Sequence, residues 1–287
     1  MSRVPEEVCQ LIERAEKLTK KKSSFFGIFG NNQESLEEAS ELYNKAGNLL
    51  KAERLFKEAA SAFLASADLD EKIGEDNLEE AARKRVSAVS CLRKIDAAAA
   101  IEQLEKAIKV YLSAGRFHMV ANYEKEAAEI WEHESNWQAA ATCYQKAAKR
   151  FEAENSPAMS QGCLQKAALA LGWLGRWEES ARIFEQIGEE CASDSLRKYG
   201  AREHYFCSLL GRLAAGDLVG AGLKIDWLEK GRERQLIQQV IGALEEADED
   251  KFTQAVGEFD KVANLDDWKS NCLLTIKKYI DTEPSLA

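Results

Sequence analysis

Apolar residues recur at intervals of three and four through most of this chain. Between positions 100 and 115 they fall at Ile101, Leu104, Ile108 and Leu112, and between 139 and 151 at Ala140, Tyr144, Ala147, Ala148 and Phe151. That spacing lays one apolar stripe along one face of a helix. Each periodic stretch ends in a break, and a new one opens at Asp96, Arg116, Asn136, Ser156 and Arg176, which stand 20 residues apart. Ser87, Ala107, Ala127, Ala147 and Ala167 keep the same interval inside the helices. A small side chain at a fixed point lets neighbouring backbones approach. Aromatic residues open three of the units: Phe117, Trp137 and Trp177. Gly74, Gly115 and Gly175 fall just beyond predicted helix ends, where a left-handed cap is wanted. Ser156-Pro157 reads as an N-cap followed by proline at the first helical position.

One helix per unit gives about 40 residues per helix pair, against about 34 in a standard tetratricopeptide unit. The predicted fold is therefore all-α: a tetratricopeptide-like right-handed solenoid of antiparallel helix pairs, assigned to residues 1–190. From Cys191 onward the beat weakens. Ser193-Asp194-Ser195 and Gly200 mark turns, and Gly216, Gly220 and Gly222 mark a further break. Stretches 223–230, 234–246, 253–263 and 266–282 still read as helices. Residues 191–287 are thus predicted to form a C-terminal helical bundle packed continuously on the solenoid. Repeat units rest on their neighbours, so 287 residues can form one such body. The prolines, Pro5, Pro157 and Pro284, interrupt no long periodic stretch.

Charge and cysteine content narrow the function. A net charge of −10 disfavours a nucleic-acid binder, which needs a basic surface to displace counterions. It still permits a local basic face. Cys9, Cys91, Cys143, Cys163, Cys191, Cys207 and Cys272 are odd in number and contain no CxxC pair, which argues against a disulfide framework or a zinc site. The chain has no apolar run of about 18 residues and no secretory apolar region near Met1. A cytoplasmic location is expected. The stretch GDLVGAGLK lacks the GxxxxGK[ST] spacing that cradles phosphates and reads as a helix break. His118, His133 and His204 are scattered, with no carboxylate at HExxH spacing. Neither catalysis, metal nor cofactor is expected.

One segment breaks the helical rule. After Lys20-Lys21-Lys22-Ser23-Ser24 come Phe25, Phe26, Ile28 and Phe29, with Gly27 between them and Gly30 closing the run. These side chains either tuck beneath the first helix pair or touch a membrane. Full burial of each is worth about 1.5–3 kcal/mol, and each lysine near an anionic leaflet adds about 1 kcal/mol. After the cost of adsorption, that sum gives weak and reversible contact.

SSFFGIFG, EEASELYNKAGNLLK, AGRFHMVANYEKEAAEIWE, NWQAAATCYQKAAKRFEAE, CLQKAA, DSLRKYGAREHYF and FDKVANLDDWKSNCLLTIKKYI follow one another over nearly the whole chain. Together, and in this order, they resemble the alpha/beta type of soluble NSF attachment proteins, the adaptors of SNARE disassembly. The resemblance implies an adaptor that lies along a SNARE four-helix complex and presents its C-terminal end to NSF, a hexameric AAA+ ATPase. Arg93, Lys94, Arg116, Lys166, Arg202 and Arg232 match the family's basic SNARE-facing positions. Asn122 and Gly162 stand where two further basic residues are found. Phe25, Phe26, Ile28 and Phe29 match the membrane-contacting loop. Penultimate Leu286 matches the residue that stimulates the ATPase. The acidic run before it is reduced to Asp281 and Glu283, with more acidity upstream, including Glu249 and Asp250, to dock on the ATPase. The competing expectation is a tetratricopeptide-type scaffold for peptide tails. A pull-down separates the two, because an adaptor binds the assembled four-helix complex better than any single tail.

Overall fold

The computed structural model describes residues 4–20 and 31–282, with fourteen α-helices and no strand among them. The all-α class expected from the periodicity holds. The chain divides into two compact units, Met1–Glu134 and Ser135–Ala287. The first contains α1 (Glu6–Lys20), α2 (Asn31–Ala52), α3 (Phe56–Ile73), α4 (Leu78–Leu92), α5 (Ala97–Ser113) and α6 (Phe117–His133). The second contains α7 (Trp137–Ala153), α8 (Pro157–Trp173), α9 (Trp177–Ser193), α10 (Ala201–Ala214), α11 (Leu218–Leu223), α12 (Arg232–Glu245), α13 (Glu249–Ala263) and α14 (Asp267–Thr282). Short turns within each unit make successive long helices antiparallel neighbours.

The 20-residue beat has a local cause. Helices α5 to α9 each contain 17 residues, and a three-residue turn completes the period. One residue of each turn takes positive φ: Gly115 (69°), Ser135 (56°), Asn155 (53°) and Gly175 (73°). The next amide then closes on a carbonyl five residues back. Arg116 N–H donates to Tyr111 O at 2.9 Å, Ser156 to Phe151 O at 2.8 Å and Arg176 to Leu171 O at 3.0 Å. This is the Schellman closure, which satisfies carbonyls that a helix end leaves open. The following helix opens with a side-chain cap at two breaks: Asp96 accepts from Ala99 N–H at 2.9 Å, and Asn136 from Ala139 N–H at 3.2 Å. Ala107, Ala127, Ala147 and Ala167 are buried as expected, whereas Ser87 is half-buried, with its hydroxyl donating to Arg83 O.

Four local expectations need correction. Ser156 occupies a cap position, but its hydroxyl makes no capping bond; Pro157 alone pre-sets that helix start. Gly74 does cap α3 and takes a positive φ (148°) that favours glycine, but its ψ of −177° is not that of the left-handed helical cap expected. Of Gly216, Gly220 and Gly222, only Gly216 (φ 82°) breaks the chain, and the other two lie within α11. Gly220 serves the cap there. Asp217 accepts from its N–H at 2.8 Å, and a Cβ at 220 would stand 2.1 Å from the Asp217 carboxylate. Stretch 223–230 is not one helix. It holds the end of α11, a 3-10 turn over Ile225–Leu228, and Glu229 at φ 48°, which turns the chain toward α12.

Ion pairs penetrate the first unit. Lys84 and Arg85 on α4 are each only 6% exposed. Lys84 lies 2.6 Å from Asp70 Oδ2 on α3 and donates to Ser40 Oγ on α2 at 2.9 Å. Ser40 in turn donates to Asp70 Oδ1 at 2.6 Å. Arg85 reaches Glu71 and Asp68 on α3 and Gln103 on α5. In the second unit α14 closes the core through Trp268. The Trp268 indole N–H donates to Leu169 O on α8 at 3.2 Å, and its ring meets Trp177 and Phe184 of α9 edge-on, at 5.7 and 5.4 Å. Tyr279 Oη, about three turns further along α14, donates to Ala214 O of α10 at 2.8 Å.

Candidate functional site

All six basic residues singled out in the sequence are exposed. In the first unit, Arg93 and Lys94 lie in the turn that follows α4. The Schellman-type turn before α6 places Arg116. Arg93 Nη1 stands 3.5 Å from Glu126 Oε1 on α6, and Arg116 Nε stands 3.4 Å from Glu79 Oε2 in the first turn of α4. Lys94 Nζ sits 4.1 Å above the ring centre of Phe56, a cation–π seat that fixes the amine without neutralising it. Arg93 and the Arg116–Glu79 pair thus occupy opposite ends of α4, about 20 Å apart at 1.5 Å per residue. The array is extended along a helix, not gathered at a point. Asn122, on α6, donates to the His118 carbonyl at 2.9 Å.

In the second unit, Arg202 begins α10 and Arg232 begins α12. Glu233 on α12 holds the Arg202 guanidinium. The guanidinium also lies against bare backbone at Gly231, where a Cβ would come within 1.7 Å of Nη2. This corner therefore brings Arg202 and Arg232 together. Arg232 also borders a groove between α12 and α13, floored by Leu236 and Phe259 and rimmed by Gln239 and Glu258. Lys166 stands exposed midway along α8, outside this corner. Gly162, one turn before it, is exposed, and a Cβ there would meet nothing within 4 Å.

Next to Arg202, His204 is half-buried and stacks on Phe184, with ring centres 6.3 Å apart; its Nδ1 is buried with no hydrogen-bond partner among the described residues. Burial lowers its pKa below the ordinary 6.5, and Glu203 opposes that shift. The unfolded chain therefore takes up this proton first as pH falls. Stability from neutral His204 is complete above 6.5 and declines below it, by at most about 1.4 kcal/mol per pH unit. The denaturant midpoint of the wild type should fall between pH 7 and 5.5, and the His204→Gln variant should lose less over the same interval.

Of the acidic residues assigned to ATPase docking, Glu249 and Asp250 lie in the first turn of α13, and Glu249 is paired with Lys277 of α14 at 2.7 Å. Asp248 caps that helix by accepting from Lys251 N–H at 2.9 Å. The Asp281 side chain lies outside the described residues, as do Glu283, Leu286, Phe25, Phe26, Ile28 and Phe29. Sequence reasoning missed the carboxylates that face the basic residues. Glu79, Glu126 and Glu233 come from other helices, 37, 33 and 31 positions away, and no local pattern announces such pairs. Burial pushes the Glu126 carboxyl up, an effect that Arg93 opposes and Glu129 reinforces. Among the described residues, no group of three or more His, Cys, Asp or Glu could hold a metal ion, and no helix is long and apolar enough to cross a membrane.

Paired helices that carry spaced, exposed cations define a helical-repeat protein. Residues 6–281 match the family described as soluble NSF attachment protein, SNAP. An alpha-soluble NSF attachment protein of Vitis vinifera is 32% identical, with 93% of each chain covered. The beta-soluble NSF attachment protein of Bos taurus is 33% identical, over 96% of this chain and 94% of that one. The vesicular-fusion protein SEC17 of Komagataella phaffii is 30% identical over 97% of both. This chain belongs to the soluble NSF attachment protein family.

Proposed function

We propose that the chain is an adaptor that binds assembled SNARE four-helix complexes and recruits and stimulates the AAA+ ATPase NSF for SNARE disassembly in vesicle trafficking. The family match over residues 6–281 carries the reading. It is supported by the exposure of Arg93, Lys94, Arg116, Lys166, Arg202 and Arg232, which puts all six side chains at the surface. Glu249, Asp250, Asp281 and Glu283 dock on the ATPase in this reading, and Leu286 stimulates it. The chain contributes no catalytic group, and ATP hydrolysis belongs to NSF. The protein works on the cytoplasmic side, in weak peripheral contact with the membrane through Phe25, Phe26, Ile28 and Phe29.

Charge reversal tests the contact face. Arg116→Glu with Lys166→Glu is expected to weaken binding to purified SNARE complex by about 1–3 kcal/mol where the contacts are desolvated, and to flatten the salt dependence. Neither residue is part of a core, so the denaturation midpoint should hold. Titration at two salt concentrations reads both quantities. Unchanged affinity and unchanged salt dependence would remove these residues from the contact face.

The apolar segment has its own test. Phe25→Ser with Phe26→Ser should reduce liposome binding and the disassembly of membrane-anchored SNAREs, while disassembly of soluble SNARE fragments stays normal. A large drop in melting temperature would instead assign these side chains to the core.

A further inference from the structure

Three of the proposed contact arginines are already engaged within the chain. Arg93 faces Glu126, Arg116 faces Glu79 and Arg202 faces Glu233, the first two joining a helix-end turn to another helix and the third joining α10 to α12, each within one unit. The first two contacts, at 3.5 and 3.4 Å, lie at the outer limit of a hydrogen bond. These arginine side chains keep 40, 57 and 43% exposure, so a partner's carboxylates can reach them without unfolding anything. Surface pairs of this kind contribute little to folding, yet each sets an anion beside a cation that the reading above assigns to an acidic partner. Such a carboxylate screens the arginine and repels the partner's own acidic side chains.

We infer that Glu79, Glu126 and Glu233 are internal competitors that hold down the chain's affinity for an acidic helical bundle and are displaced from their arginines when the bundle binds. The inference rests on the adaptor reading. It lets a basic face persist on a chain of net charge −10, because an arginine exchanges its carboxylate only for a surface that offers several at once. It also adds a selection step. A partner presenting one isolated carboxylate gains no more than the internal pair it breaks, while a partner with carboxylates spaced along both ends of α4 breaks two pairs together.

The experiment titrates purified four-helix SNARE complex against the full chain. Its arms are the wild type, Glu79→Gln with Glu126→Gln and Glu233→Gln, a control with Glu105→Gln, Glu152→Gln and Glu154→Gln, and Arg93→Glu with Arg116→Glu. The control removes the same net charge from exposed carboxylates elsewhere, and a urea midpoint for each variant checks folding. Each competitor removed should tighten binding about two- to fivefold, the scale of one surface pair. The triple variant should therefore exceed the control clearly, with the gain reduced at high salt. Equal affinities for the triple variant and its control overturn the competition while leaving the adaptor reading intact, provided arginine reversal still weakens binding. Weaker binding by the triple variant also overturns it and makes these carboxylates supports that orient the arginines. If arginine reversal leaves wild-type affinity unchanged, it is the contact face that fails, and the inference falls with it.

Discussion

Lys84→Ala is expected to cost the chain about 3–5 kcal/mol of folding stability, the scale of a buried ion pair that loses one member. Lys84 and Asp70 are 6% and 2% exposed and 2.6 Å apart, so neither can turn to water when the other is removed. Alanine at 84 leaves the Asp70 carboxylate in the interior, facing the Ser40 hydroxyl but no cation among the described residues. The loss extends over three helices, because Ser40, Asp70 and Lys84 come from α2, α3 and α4. Lys84→Met combined with Asp70→Leu should recover most of it. Two apolar side chains then fill the space, and the Ser40 hydroxyl can donate to Ser66 O, already 3.0 Å away. Urea midpoints of the single and double variants provide the check. A single variant within about 1 kcal/mol of wild type would mean that the pair is solvated.

Trp268→Ala should cost a comparable amount, about 3–5 kcal/mol, by opening a cavity that α8, α9 and α14 share. The ring is 4% exposed. Gly172 of α8 lies directly beneath it, and a Cβ there would come within 2.3 Å of the indole nitrogen. Trp268→Phe keeps a ring against Trp177 and Phe184 but loses the bond to Leu169 O, so it should cost about 1–2 kcal/mol beyond the change in size. Gly172→Val should damage the same contact from the other side. Denaturant unfolding of the three variants orders them as alanine, then valine at 172 or phenylalanine at 268, with alanine the most disruptive. Wild-type stability in Trp268→Ala would show that α14 does not close this core.

These two sites show where sequence reading reaches its limit. The helix beat was legible because it is written locally: a helix of fixed length, a residue able to take positive φ and a closing amide recur at the same interval. Gly115 and Gly175 announced two of those turns, while Ser135 and Asn155 adopt the same conformation without a glycine. Lys84 and Arg85 follow exposed Arg83 in an unbroken basic run, and nothing in that run marks them as buried. Their burial follows from helices that pack over them, and no residue within α4 encodes that. Trp268 stood out in LDDWKSN, but its acceptor lies 99 residues away. The same holds for the surface. Six arginines and lysines could be matched by position, whereas the glutamates that face three of them could not. Even Gly220, which reads as a breaker, belongs to a helix once the Asp217 cap is seen to need its missing side chain.

Reconstituted disassembly asks whether this chain couples SNARE complexes to the ATPase. Preassembled four-helix SNARE complex is mixed with NSF and ATP, with and without the chain, and loss of the complex is followed in time. ATP-dependent disassembly should require the chain and be much slower with the Arg116→Glu, Lys166→Glu variant. Disassembly that proceeds at the same rate without the chain, or that never starts at saturating amounts of the folded chain, would contradict that coupling.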